Sequence, residues 1–117
     1  IGVALAALWR GSLGSAYAVH SATLVRATPL VLAGLAVAVA FGAGVLNIGA
    51  EGQLLAGGAT AAAVGIHLAP ALGPATVPLA LAGGAVAGGV WAGVAALLRR
   101  RFGVLEVIST IMLNFVA

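Results

Sequence analysis

The chain has 117 residues, of which 63% are hydrophobic and 6% are charged, and its formal net charge is +3. A soluble domain carries about 25% charged residues, so these few charges cannot cover a surface that faces water. The composition therefore excludes an ordinary soluble enzyme, and it excludes a disordered segment because disorder needs low hydrophobicity. We predict an all-α, polytopic integral membrane protein.

Missing residue types exclude several kinds of chemistry. The chain has no Cys, which excludes disulfides and thiolate metal sites, and no Lys, which excludes a Walker-type ATP site. Its two His and two Glu are too widely spread to form a metal-ligand pattern, and no G-x-S-x-G elbow is present. Five Arg are too few for a nucleic-acid surface. We therefore predict no catalytic residue, metal site, cofactor or nucleic-acid partner.

The first 26 residues divide into an apolar and a polar part. Residues 1–9 are apolar but too short to cross a bilayer, so we predict the end of a truncated helix. The chain begins with Ile1 and stops inside an apolar run, which indicates a fragment of a longer protein. Residues 10–26 are the most polar stretch and are rich in Gly and Ser, which favours an external loop.

Helix I is predicted over 28–46. Thr28 can cap its start, and Pro29 is tolerated at the first helical position. No charge or amide follows before Leu46, and this stretch spans roughly 27 Å at 1.5 Å per residue. Asn47 and Gly49, both common at helix ends, are predicted to end the helix.

Two further complete helices and the start of a fourth are predicted. Helix II covers 50–69 and ends where Pro70, Gly73 and Pro74 form a short connection. Helix III covers 75–98 and is closed by the three Arg at 99–101. The fourth helix begins at 106 and runs to 117. Residues 1–117 are thus interpreted as one transmembrane domain.

The orientation follows from the basic residues. Cytoplasmic loops of membrane proteins carry the excess of Lys and Arg. Placing Arg99, Arg100 and Arg101 inside makes helix III run outside to inside and leaves 10–26 outside.

Helices II and III carry small residues at four-residue spacing, which lets helix backbones approach closely in a membrane. In a chain so rich in Gly, some of these spacings arise by chance, but the stripe from Ala80 to Ala96 is harder to explain in this way. The predicted helix-packing residues are Gly57, Gly65, Gly84, Gly88, Gly89 and Gly93.

Polar side chains are rare in the apolar stretches and form two candidate segments. In 47–53 (NIGAEGQ), Asn47, Glu51 and Gln53 lie beside two Gly. This pattern predicts either a broken helix that lines a polar cavity or a simple turn between two helices, and the residues alone do not separate these.

The second candidate segment opens the fourth helix. Glu106, Ser109, Thr110 and Asn114 are three to four residues apart and share one helical face. A polar face on an apolar helix indicates a transport pathway or a buried hydrogen-bonded contact, whereas Glu106 alone could instead form a surface ion pair with the nearby Arg residues. His67, close to the predicted end of helix II, is interpreted as interfacial.

Two signatures in these segments resemble those of a known family. N-I-G-A-E-G-Q at 47–53 and G-V-x-E-V-I-x-T-I-M-L-N at 103–114 are similar to the permease subunits of bacterial ABC importers. They resemble the ribose/branched-chain amino acid permease superfamily, in its nucleoside or simple-sugar branch. The chain departs from many relatives at Gly42, where Arg is frequent, and at Leu105, where Asn is frequent.

The resemblance implies a non-catalytic, multi-pass subunit in the bacterial cell (inner) membrane. It implies a second permease subunit, a cytoplasmic ABC ATPase and an extracytoplasmic substrate-binding lipoprotein as partners. It also implies that both signatures lie near the translocation pathway, whereas the substrate stays open, as do the form of the permease dimer and the ATPase-docking residues. The competing interpretations are an oligomerising structural membrane module and a secondary transporter, although helices I to III show no clear internal repeat.

Overall fold

The computed structural model describes all 117 residues and contains no strand. The helices are α1 (Gly2–Ser12), α2 (Val25–Gly42), α3 (Ala50–Leu72), α4 (Thr76–Phe102) and α5 (Glu106–Val116). A π-helical segment, Ala18–Leu24, leads into α2, and a 3₁₀ turn, Gly73–Ala75, joins α3 to α4. The chain divides into two compact units, residues 1–36 and 37–117.

The predicted external loop at 10–26 is wrong as a description of the backbone. α1 continues to Ser12, and a helical conformation resumes well before residue 26. The polar side chains that suggested a loop instead satisfy nearby backbone groups. The Ser12 hydroxyl donates to the Leu8 carbonyl at 2.7 Å, and the Thr23 hydroxyl donates to the Ser12 carbonyl at 2.7 Å. The first of these is a local bond to the carbonyl four residues earlier, which lets Ser lie within a helix, and the second joins the π-helical segment to the end of α1.

α2 begins and ends earlier than the predicted 28–46. Its ladder continues from the π-helical segment, so Thr28 does not cap a helix start and its hydroxyl instead donates to the Leu24 carbonyl at 2.8 Å. At the other end, Gly44 adopts a φ of +76°, and the Val45 N–H donates back to the Ala40 carbonyl at 2.9 Å. These features form a Schellman motif, which ends the helix several residues before Asn47.

α3 and α4 are longer than predicted. α3 continues past Pro70 to Leu72, because a proline two residues from a helix end removes only one backbone bond and its ring meets an exposed surface. α4 includes Arg99–Arg101 in its last turn and ends where Gly103 adopts a left-handed conformation with a φ of +67°. The Gly103 N–H donates to the Arg99 carbonyl at 2.9 Å, the usual left-handed cap.

α3 and α4 pack against each other as an antiparallel hairpin. The contacts pair Gly57 with Gly84 and Gln53 with Gly88, so one helix ascends as the other descends. A Cβ built on Gly57 would lie 2.8 Å from the Gly84 carbonyl oxygen, and one on Gly84 would lie 2.9 Å from that of Gly57. The two backbones therefore touch directly, which only glycine allows at this separation.

Only part of the predicted set of packing glycines belongs to this contact. Gly57, Gly84 and Gly88 lie in it, and Ala61 adds a methyl group 3.2 Å from the Cβ position of Gly84. The remaining predicted positions have no neighbour within 4 Å of their Cβ positions and so do not belong to the close backbone contact. These are Gly65, Gly89 and Gly93.

Most large apolar side chains are exposed, and the buried apolar residues are Ala18 and Ala95. Two helical stretches are long and apolar enough to cross a membrane, namely Ala18–Gly42 and Ala50–Phe102. The second stretch contains α3 and α4, folded at the 3₁₀ turn. A chain whose apolar surface points outward is stable in lipid and not in water, and the prediction of an all-helical membrane protein is confirmed.

Candidate functional site

The break between α2 and α3, residues 43–49, lies beside α4. Gly52, in the first turn of α3, has Trp91 of α4 as a neighbour, and Arg99 follows eight residues further along α4. At 1.5 Å per residue, Arg99 lies about 12 Å farther along the helix axis. Val45 and Asn47 share a cavity wall with Ala92 and Ala96 of α4, whereas Gly44 and Leu46 line a second cavity with Arg99 and Gly103. The non-helical residues 43–49 therefore extend from the apolar part of α4 to its arginine-bearing end.

The side chain of Asn47 organises this break. Its Oδ1 accepts hydrogen bonds from the Gly49 N–H at 2.9 Å and from Gln53 Nε2 at 3.0 Å. Its Nδ2 donates to Gln53 Oε1 at 3.3 Å, so the two amides form a reciprocal pair. Asn47 is thus not a simple helix end, and its amide and that of Gln53 together shape the chain where it enters α3.

α5 holds the same break from the other side. The Ile48 N–H donates to the Thr110 hydroxyl at 3.3 Å, and the Gly52 N–H donates to Asn114 Oδ1 at 2.9 Å. Asn114 Nδ2 in turn donates to the Ile48 carbonyl at 3.1 Å. These bonds satisfy backbone groups that a break in apolar surroundings would otherwise leave unpaired.

Glycines at 49 and 52 allow α5 to come this close. A Cβ on Gly49 would lie 3.1 Å from Thr110 Cβ, and one on Gly52 would lie 3.0 Å from Asn114 Oδ1. Both glycines are buried. The sequence signature NIGAEGQ therefore combines two amides that shape the break with two glycines that admit α5.

Glu106 forms the ion pair that joins α4 to α5. Its Oε2 lies 2.5 Å from Arg99 Nη1, and its side chain is 10% exposed, whereas that of Arg99 is 54% exposed. The left-handed Gly103 turns the chain back so that the two charges meet across the connection. Glu106 thus forms the expected ion pair with an arginine of α4, but its carboxylate is largely buried and does not lie on the surface.

Three of the predicted pathway residues line one cavity of about 230 Å³. Asn47, Glu106 and Thr110 contribute the polar part of its wall. The rest of the wall is apolar and consists of Val45, Ala92, Gly93, Ala95 and Ala96. The cavity combines amide, hydroxyl and carboxylate groups with small apolar residues, so it can form hydrogen bonds with a polar solute while offering it little steric resistance.

The other predicted residues take different positions. Ser109 is buried, but its hydroxyl donates only within α5, to the Leu105 carbonyl at 3.2 Å and the Glu106 carbonyl at 3.3 Å. Glu51 is exposed on the first turn of α3 and does not line this cavity. His67 is exposed near the opposite end of α3. The structure contains no cluster of three or more His, Cys, Asp or Glu that could hold a metal ion.

Trp91 belongs to this junction and was missed by the sequence analysis. Its indole Nε1 is buried without a hydrogen-bond partner and lies 3.1 Å from the Cβ position of Gly52. The signal in the sequence was a single large aromatic residue among the Gly and Ala of α4. The small residues of the same helix were predicted to pack against a neighbouring helix, and Trp91 was not.

Comparison with known proteins gives relatives along almost the whole chain. The guanosine ABC transporter permease protein NupP of Bacillus subtilis is 49% identical over 113 residues, which are 95% of this chain and 31% of that protein. The glucose ABC transporter permease protein TsgB13 of Haloferax volcanii is 48% identical over 95 residues, 80% of this chain and 24% of that protein.

A third relative is more distant. The nucleoside ABC transporter permease protein NupB of Lactococcus lactis subsp. cremoris is 36% identical over 109 residues, 93% of this chain and 30% of that protein. The chain thus spans about a quarter to a third of the length of the curated relatives it matches. No solved structure matches the chain.

The family comparison covers both signatures and the break between α2 and α3. Residues 19–117 match the model of the branched-chain amino acid transport system permease component. This match includes all of α2, α3, α4 and α5. The resemblance drawn from 47–53 and 103–114 is confirmed, and the chain belongs to the branched-chain amino acid transport system permease family.

Proposed function

We propose that this chain is part of a transmembrane permease subunit of a bacterial ABC importer and forms part of the translocation pathway for nucleosides or simple sugars. The observation that carries the proposal is the family match over 19–117, together with relatives named as permeases for guanosine, nucleosides and glucose. ATP hydrolysis is assigned to a separate subunit, which agrees with a chain that lacks the lysine of a phosphate-binding loop.

The geometry of the break supports a place on the pathway. Transporters commonly bind their solutes where membrane helices are interrupted, because irregular backbone is tolerated there only if it is buried or lines a polar cavity. Residues 43–49 are such an interruption, and Asn47, Glu106 and Thr110 share one cavity beside it. In this proposal these three side chains face the pathway, whereas Gln53, Ser109 and Asn114 keep the wall in place.

Glu51 has a separate role in the proposal. Its carboxylate is exposed on α3, at a level of the hairpin well inside the arginine-bearing end of α4. A carboxylate at membrane depth is unfavourable unless it meets water or a partner group. We place Glu51 on the aqueous side of α3, where it contributes to the polarity of the pathway.

The remaining parts of the importer follow from the same assignment. The subunit pairs with a second permease subunit, docks a cytoplasmic ABC ATPase and receives solute from an extracytoplasmic binding protein. It is a multi-pass protein of the bacterial cell membrane. The arginines Arg99–Arg101 lie on the cytoplasmic side, because basic residues concentrate in cytoplasmic loops.

Uptake of radiolabelled nucleoside or sugar by cells that express the intact permease tests the pathway assignment. We expect Glu106→Gln to lower uptake strongly at an unchanged level of protein in the membrane, because it removes the charge from the cavity wall. His67→Gln is the matched control, since His67 is exposed near the far end of α3 and should leave uptake unchanged.

A second variant separates the cavity wall from the ion pair. Arg99→Gln breaks the same salt bridge but leaves Glu106 in the cavity. The proposal requires Glu106→Gln to impair uptake more than Arg99→Gln does. Equal impairment would reduce Glu106 to an ion-pair residue, and normal uptake in Glu106→Gln and Asn47→Ala would remove this cavity from the pathway.

A further inference from the structure

Two cavities follow one another along α4 and share one residue. The first cavity, of about 230 Å³, lies beside residues 92–96 of α4. The second cavity, of about 540 Å³, lies beside Arg99 and Gly103, nearer to the arginine-bearing end of the helix. Glu106 is the one residue that lines both cavities. Its carboxylate therefore lies at the boundary between them.

The break between α2 and α3 forms the wall that separates the two cavities. Val45 and Asn47 line the first cavity, whereas Gly44 and Leu46 line the second. Neighbouring residues of the break thus face different cavities. A solute that moves from one cavity to the other has to pass the edge of this wall, where Glu106 of α5 lies.

The ion pair between Arg99 and Glu106 closes this boundary. Arg99 lines only the second cavity, and its Nη1 lies 2.5 Å from Glu106 Oε2. The pair therefore reaches from the wall of the second cavity to the point where the two cavities adjoin. The side chain of Arg99 is 54% exposed, so its guanidinium can bind water when the pair opens, which keeps the cost of opening low.

The backbone beside the ion pair is arranged for movement. Gly44 and Gly103 adopt positive φ values of +76° and +67°, and both line the second cavity. Nothing lies within 4 Å of either Cβ position, so neither glycine is held by a packed neighbour. Residues 103–105 are not helical, and hinge motions are usually absorbed by a few residues at the ends of helices. α5 can therefore pivot against α4 once the pair is broken.

We propose that Arg99 and Glu106 form a gate between the two cavities, closed while the ion pair is formed and open when it is broken. A solute in the first cavity reaches the second cavity, and with it the arginine-bearing end of α4, only through the open gate. This inference rests on the proposed function, because the gate regulates passage along the same pathway.

The test measures whether a cysteine in the first cavity can be reached from the cytoplasmic side. Ala92→Cys is introduced into the intact permease, from which any other cysteine has been removed, and inside-out membrane vesicles are treated with a membrane-impermeant methanethiosulfonate. No solute or ATP is needed. We expect slow labelling of Ala92→Cys alone and labelling roughly tenfold faster with Arg99→Gln or Glu106→Gln, because a half-exposed ion pair favours the closed state by a factor of this order.

Two controls test the reagent and the choice of residue. Arg101→Gln removes a charge from the same turn of α4, but Arg101 is exposed and lines neither cavity, so labelling of Ala92→Cys should stay slow. Val104→Cys lies in the second cavity, outside the gate, and should be labelled quickly in every variant.

Reversal of both charges distinguishes an open gate from a misfolded protein. Arg99→Glu alone and Glu106→Arg alone should each accelerate labelling of Ala92→Cys, because like charges then face each other. The two reversals together form the ion pair again, so labelling should return to the slow rate. A general loss of structure would leave the double reversal as accessible as the single ones, and this result would count against the gate.

Two further results would overturn the proposal. One is fast labelling of Ala92→Cys in the otherwise unaltered protein, and the other is slow labelling that neither Arg99→Gln nor Glu106→Gln changes. The pathway assignment survives both results if Glu106→Gln still impairs uptake more than Arg99→Gln does. Accelerated labelling combined with normal uptake in Glu106→Gln and Asn47→Ala would instead reject the pathway assignment, and with it the role of the gate in transport.

Discussion

Two contacts of the same hairpin hold helices together by opposite means. In the middle of α3 and α4, Gly57 and Gly84 bring two backbones into contact with no polar side chain between them. At the start of α3, the amides of Asn47 and Gln53 bond to each other, and the amide of Asn114 links the break to α5. The first contact depends on the absence of side chains, and the second depends on their polar atoms.

The difference reflects what each stretch of backbone requires in lipid. A continuous helix satisfies its own N–H and C=O groups, so it can only gain stability by packing more closely. A break exposes backbone groups that have no water to bind, and side chains of neighbouring elements must replace that water. The two regions therefore predict different responses to substitution.

The largest effect is expected from Gly57→Ala. The added Cβ would lie 2.8 Å from the Gly84 carbonyl oxygen, so the two helices must move apart, at a loss of about 2–3 kcal/mol in the free energy of unfolding. Gly58→Ala is the matched control, because nothing lies within 4 Å of its Cβ position. Unfolding of the intact protein in mixed micelles with increasing dodecyl sulfate measures both. Equal losses would mean that the backbone contact does not stabilise the hairpin.

An intermediate effect is expected from Asn114→Ala. This variant removes the acceptor of the Gly52 N–H and the donor to the Ile48 carbonyl, and side-chain hydrogen bonds between membrane helices contribute about 1–2 kcal/mol at most. Ser109→Ala is the control, since Ser109 is buried in the same helix but bonds only within it. Hydrogen exchange of the Gly52 amide should accelerate in Asn114→Ala alone, and unchanged exchange there would contradict the assignment.

The smallest effect is expected from Trp91→Phe. The indole N–H is buried at the junction without an acceptor, so its removal relieves an unfavourable burial and offsets part of the lost packing. We expect the free energy of unfolding to change by less than about 1 kcal/mol in the same denaturation assay. A loss as large as that of Asn114→Ala would show that the N–H has a partner in the intact protein, and would extend the hydrogen-bonded region to α4.

Much of the helical architecture was predictable from local features. Long apolar runs with few charges predict membrane helices, because in lipid the backbone N–H and C=O groups must form their hydrogen bonds within the segment. The helix ends were less well predicted. Gly44 ends α2 and Gly103 ends α4, but in a chain with 18 Gly nothing local shows which of them adopts a positive φ. The polar stretch 10–26 was taken for a loop because Ser and Thr favour turns as well as local bonds within helices.

The sequence predicted which residues belong to the candidate site, but it did not predict how they contact one another. The sequence by itself determined that the protein is helical and membrane-embedded, because composition sets the solvent that a chain can tolerate, and its two signatures determined the family. Only the tertiary structure decided that Thr110 and Asn114 bond to Ile48 and Gly52, that Arg99 turns toward Glu106, and that Trp91 joins the junction. Contacts between residues some 60 positions apart depend on how helices approach, and no local pattern encodes that distance.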